Sequence, residues 1–191
     1  MARYALGVTA LKRGDAATAR TELQAGASLA PSFEGPAKAL AELDSREGNR
    51  EAEIEHAGLA VSAEPRDGGL RYLFATALAR QKRLHEAEAE YRGVIRLRPK
   101  FAGGYQGLGV IHKWRGSLPE AIPFFRKAAE LDPNYRDAWC DLAGALATLG
   151  QTQEALAVLA NYRSRHSEDA VAEDLEKAIR ADGANQTPPG Q

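Results

Sequence analysis

The sequence predicts an all-α chain, built from antiparallel helix pairs stacked one on the next as an α-solenoid. Three observations carry that prediction, and they share one period. Pro31, Pro65, Pro99 and Pro133 stand 34 residues apart. A glycine recurs just past the middle of each interval, at Gly14, Gly48, Gly116 and Gly150, with Lys82 in its place once. A small residue follows it, at Ala19, Ala87, Ala121 and Ala155, while Glu53 breaks that series with Ala52 beside it. A fixed internal period of this length marks a repeat architecture. The intervals hold amphipathic stretches with helical spacing. A glycine-containing turn separates them and a proline stops the second. One such hairpin cannot bury its apolar face alone, but stacked on neighbours it can.

Five intervals follow in order. The first, 1–33, carries Leu6, Gly7, Gly14, Ala19, Leu23 and Pro31. The second, 34–67, has the weakest pattern and keeps Leu40, Ala41, Gly48 and Ala60. The third, 68–101, has Phe74, Ala75, Leu78, Ala87, Tyr91 and Pro99. In the fourth, 102–135, Tyr105, Leu108, Ile111 and His112 make one stripe, and Ala121, Ile122, Phe125 and Ala129 make another. The fifth, 136–169, has Trp139, Leu142, Ala143, Leu146, Gly150, Ala155 and Leu159, with Ser167 where the proline would stand. Residues 170–182 then read as a C-terminal capping helix. Val171, Leu175, Ala178 and Ile179 fall on one stripe and charged residues elsewhere, as suits the solvated end of a solenoid. Gly183 suits the stop of that helix, and 183–191 reads as a disordered tail. Met1 falls on the first turn of a helix with no capping residue before it, so the chain reads as a piece of a longer protein.

The fourth interval gives these markers a family likeness. Tyr105-x-x-Leu108-Gly109, then Gly116, Ala121, Phe125, Ala128 and Pro133, resembles the signature of the tetratricopeptide repeat family. The resemblance covers about residues 1–169. It implies a right-handed superhelix and a non-catalytic protein-interaction role, with the first helix of each pair lining a concave groove. Carried onto this chain, the exposed groove positions include Tyr4, Lys38, Arg46, Tyr72, Thr76, Arg80, Gln106, Val110, Lys113 and Trp114, with Glu42 and Cys140 on the same surface. Aromatic side chains supply contact area, and Arg and Lys catch carboxylates. The implied ligand is an extended peptide or partner segment with acidic and apolar side chains. Two alternatives stand beside it. One is the recognition arm of a larger transferase or hydroxylase whose catalytic domain lies outside these residues. The other is a self-assembling scaffold docking through the uncapped first helix. The two-carboxylate clamp that some family members use for chaperone tails finds no match. Starting from the second interval, its places hold Lys38, Glu42, Leu73, Gly103 and Gly107.

Catalytic and cofactor chemistry finds no foothold in the sequence. The stretch AGGYQGLGV, Ala102 to Val110, looks at first like a phosphate-cradling loop. That loop needs a strand before it, and here Leu97-Arg98-Pro99 ends a helix. Gly109 instead takes the small position where paired helices meet. Gly103, Gly104 and Gly107 soften the helix, or Gly103 and Gly107 leave a bare patch on the groove for a ligand backbone. The four histidines, His56, His85, His112 and His166, lack metal-ligand spacing, and Cys140 is the sole cysteine, so neither a metal site nor a cofactor is expected. His112 reads as a core histidine. Basic and acidic residues nearly balance, 25 against 26, so the net charge gives no argument for nucleic acid. No apolar run approaches the ~20 residues of a membrane span. The opening residues lack a signal-peptide pattern, which favours the cytoplasm.

Overall fold

The computed structural model describes residues 1–186. Among them are α-helices and no strand: α1 (Ala2–Lys12), α2 (Ala16–Leu29), α3 (Glu34–Glu47), α4 (Arg50–Ala63), α5 (Gly68–Arg80), α6 (Leu84–Leu97), α7 (Ala102–Trp114), α8 (Leu118–Leu131), α9 (Arg136–Thr148), α10 (Thr152–Arg163) and α11 (Ala170–Gln186). The chain forms two compact units, Met1–Pro99 and Lys100–Gln191. In the first, α1 to α6 pack as three successive hairpins, each helix against its neighbours in sequence. In the second, α7–α8 and α9–α10 do the same, and α11 lies against α9 and α10.

The turn inside each hairpin is the same object five times. Gly14, Gly48, Gly116 and Gly150 have φ of +77°, +76°, +79° and +77°, and Lys82 adopts φ +59° in the third. That left-handed residue lets the next N–H reach back five residues. Asp15 donates to the Ala10 carbonyl, Asn49 to Asp44, Arg83 to Leu78, Ser117 to His112 and Gln151 to Leu146. This reach-back bond satisfies carbonyls that a helix end otherwise leaves orphaned. The second helices end at Ala30, Glu64, Arg98 and Asp132, each directly before a proline of the 34-residue series.

The stretch Ala102–Val110 lies wholly within α7. A Cβ on Gly109 would stand 2.5 Å from Cε1 of the buried Phe125 ring, so the small residue is needed for α7 and α8 to touch. The proposed bare patch does not exist, because Gly103 and Gly107 are buried, as is Gly104. His112 is half-buried, and its ring stacks on Phe124 at 5.2 Å.

α11 differs from expectation in two ways. Its buried stripe runs through Ala172 and Ile179 with Leu175 half-buried, while Val171 is exposed. Gly183 does not stop the helix, which continues to Gln186. A Cβ at Gly183 would come within 2.9 Å of Thr152 Cγ2, so close approach to α10 accounts for it better than chain termination does. The rest of the expected tail, 187–191, lies outside the described residues. Asp169 caps the start of α11. Its Oδ1 accepts the Ala172 N–H at 3.1 Å, and the Tyr162 hydroxyl donates to Oδ2 at 2.9 Å. These bonds, the backbone one foremost, hold its carboxyl below the usual range.

Candidate functional site

In the first unit α3, α4 and α5 enclose an open cleft of about 560 Å³. Five of the expected groove residues line it: Lys38, Arg46, Tyr72, Thr76 and Arg80. Glu42 and Ser45 of α3, Glu53 of α4, and Leu70 and Leu73 of α5 complete most of its wall. The reason is helical geometry. Lys38, Glu42 and Arg46 are four apart and so share one face of α3, as Tyr72, Thr76 and Arg80 share one face of α5.

The floor is held from behind. Thr76 Oγ1 donates to the Tyr72 carbonyl at 2.9 Å and lies 3.3 Å from the Tyr91 hydroxyl. The Tyr72 and Tyr91 rings meet at 5.9 Å, and burial pushes the Tyr91 hydroxyl up to about 12. Asp67, at the rim, is spent on capping α5, where its Oδ1 accepts the N–H groups of Gly69 and Leu70 at 2.6 and 3.1 Å.

Arg80 is not the free cation that groove spacing suggests. Its Nη1 donates to Glu53 Oε1 at 2.9 Å and also to Ser45 Oγ. Glu53 is only 2% exposed. A carboxylate so buried needs a partner, because an unpaired one carries a heavy desolvation cost. Sequence reading passed over Glu53 and Ser45 as cleft residues, although a signal was present. Glu53 is the one break in the alanine series, and its side chain reaches the cleft from a place where the other repeats only pack.

The remaining expected residues lie elsewhere. Tyr4 meets Phe33 edge-on at 5.2 Å and does not line the cleft. On α7, Gln106 and Lys113 converge on Asp141 of α9, at 3.1 and 2.7 Å, so the Lys113 charge is already matched within its own unit. Val110 packs against the cluster of Leu142, Leu146 and Phe125, and Trp114 is exposed. Burial, foremost, raises the Cys140 thiol to about 11, so it stays protonated at neutral pH and is a poor nucleophile. Among the described residues no group of His, Cys, Asp and Glu is arranged to hold a metal ion. No helix there is long and apolar enough to cross a membrane.

Helix pairs joined by left-handed turns, with a cleft between the first helices of successive pairs, define a helical-repeat protein. Tetratricopeptide repeat family models match residues 69–101 and 115–185, together more than half of the sequence. The chain belongs to the tetratricopeptide repeat family. A curated relative, the uncharacterised protein MJ0572 of Methanocaldococcus jannaschii, is 45% identical over 56 residues, which are 29% of this chain. The chain spans 65% of that relative's length. Among solved structures, MamA from Desulfovibrio magneticus RS-1 superposes with a TM-score of 0.78 at 18% identity, over 87% of this chain and 95% of that one. YrrB, described as a tetratricopeptide repeat protein with an unusual peptide-binding site, superposes with a TM-score of 0.65 at 18% identity, over 86% and 84%. At such identities these likenesses bear on the fold, which is the α-solenoid of the family. Folds of this family generally serve protein–protein interaction.

Proposed function

We propose that this chain is a non-catalytic protein-interaction module that takes an extended partner segment in the α3–α5 cleft of its first unit. The observation that carries the reading is convergence on one cavity. Residues chosen by repeat position on two helices, Lys38 and Arg46 on one and Tyr72, Thr76 and Arg80 on the other, line a single concave space. Its volume falls in the range of ligand sites, roughly 300–1,000 Å³. A wall carrying Leu70, Tyr72 and Leu73 across from a charged ridge suits a peptide, which brings both apolar and polar side chains. YrrB supports the reading by analogy, since a protein of the same fold is described with a peptide-binding site.

The test is selection of phage-displayed random peptides on the chain, followed by amide chemical-shift mapping with the enriched sequence. Perturbations concentrated on α3 and α5 are expected. Tyr72→Ala should weaken the selected peptide roughly tenfold, as loss of a buried aromatic contact does. Perturbations confined to helices outside the cleft, or a Tyr72→Ala variant that binds unchanged, would remove the site.

A further inference from the structure

We infer that the cleft reads a segment of alternating charge, acidic–apolar–basic–apolar–acidic, laid in extended form along α3. This rests on the reading that the cleft holds a partner segment, and it adds which segment. Six charged side chains line the cleft: Lys38, Glu42, Arg46, Glu53, Asp67 and Arg80. Three are already used, Glu53 and Arg80 on each other and Asp67 on the start of α5. The other three, Lys38, Glu42 and Arg46, are all exposed and all on α3. None has an ion pair or side-chain hydrogen bond among the described residues, though neighbouring opposite charges four apart on a helix can close on each other. Arg92 and Glu88 do so at 2.6 Å. The ridge therefore offers the cleft a positive, a negative and a positive group, in that order and unmatched.

The spacing of these groups selects the conformation of the partner. Side chains four apart on a helix recur every ~6 Å along its axis, at ~1.5 Å per residue. Alternate side chains of an extended chain recur every ~6.6 Å, at ~3.3 Å per residue. Over the three positions the two rulers differ by only about 1 Å, well within the reach of Lys, Glu and Arg side chains. A helical partner would offer one matching face, but α5 supplies a second wall, Tyr72 and Leu73, on the other side. An extended segment presents opposite faces at successive residues. Its charged face can meet α3 while its apolar face meets Tyr72 and Leu73.

The experiment measures fluorescence anisotropy at low salt with two labelled peptides, Gly-Asp-Val-Lys-Val-Asp-Gly and the charge-reversed Gly-Lys-Val-Asp-Val-Lys-Gly, both with blocked ends. The first should bind the chain at least roughly tenfold tighter, because every reversed contact becomes repulsive. Glu42→Lys should then invert the preference at the centre, favouring Gly-Asp-Val-Asp-Val-Asp-Gly over the first peptide. Equal binding of the first two peptides within about twofold, or a central preference that Glu42→Lys leaves unchanged, overturns the charge pattern. So does failure of both to bind. The cleft itself is judged apart from this, by the selected peptides and Tyr72→Ala.

Discussion

The second and fourth helix pairs share one turn geometry and have opposite interiors. In the fourth, α7–α8, Gly109 receives the Phe125 ring, Ala121 is fully buried, and His112 stacks on Phe124. In the second, α3–α4, the corresponding places hold Ala41 and Ala57, Glu53, and the pair Asp44 and His56. Asp44 is fully buried. Its Oδ2 lies 2.6 Å from His56 Nδ1, and Oδ1 is 2.7 Å from the Arg20 guanidinium, an ion contact outside directed hydrogen-bond geometry. Arg20 in turn meets Glu47 at 2.6 Å. The turns are alike, with φ of +76° at Gly48 and +79° at Gly116. The period therefore sets the path of the chain, and the residues at the packing places decide whether a pair is closed by a phenyl ring or by a polar contact such as Asp44 with His56.

Breaking the apolar version should cost the most. Phe125 is fully buried, and Phe125→Ala should lower the unfolding free energy by about 3–5 kcal/mol. Urea titration followed by circular dichroism reads that loss. A cost under about 1 kcal/mol would mean that Gly109 and its surroundings collapse into the space, against the rigid packing expected of a core.

The polar version should break unevenly. Asp44→Ala strips the half-buried His56 ring of its carboxylate, leaves Arg20 with Glu47 alone, and should cost about 2–3 kcal/mol. Glu53→Ala should cost less than about 1 kcal/mol, for two reasons. Alanine is what the other repeats carry at that place, and the abandoned Arg80 side chain is 50% exposed, so water can solvate it. Equal losses for the two variants in the same titration would remove the distinction between a buried carboxylate whose histidine partner is sheltered and one whose arginine partner is open to water.

What the sequence made legible follows this division. The prolines, the turn residues and the small positions report backbone geometry, which is local and repeats five times, so helix pairing could be read to within a few residues. The interior of the second pair could not. Its weak pattern, Leu40, Ala41, Gly48 and Ala60, came from polar residues at packing places, and nothing local reveals that Asp44 would find Arg20 and His56. Ten groove positions were carried over from the family resemblance, and five of them, Lys38, Arg46, Tyr72, Thr76 and Arg80, line one cleft because they share helix faces. Tyr4, Gln106 and Lys113 came from the same resemblance, but their partners Phe33 and Asp141 are tertiary and no repeat position announces them. Gly183 misled for a similar reason. A glycine near a helix end reads as a stop, whereas here the neighbour Thr152 demands it.

The smallest effect concerns the third pair, where the shared turn is built with the wrong residue. Lys82 holds φ +59°, a region that costs an L-residue roughly 1 kcal/mol and glycine almost nothing. If the turn geometry is what the second and fourth pairs have in common, Lys82→Gly should restore it in the third and raise stability. Glycine also gains freedom in the unfolded chain, which offsets part of the benefit. The net gain should be at most about 0.5 kcal/mol, visible as a small rise in the thermal midpoint. Lys82→Val is the counterpart, since a β-branched residue is poorly tolerated at positive φ and should lower the midpoint. If glycine and valine both left the midpoint where it is, the left-handed residue would not be a shared determinant of the hairpins.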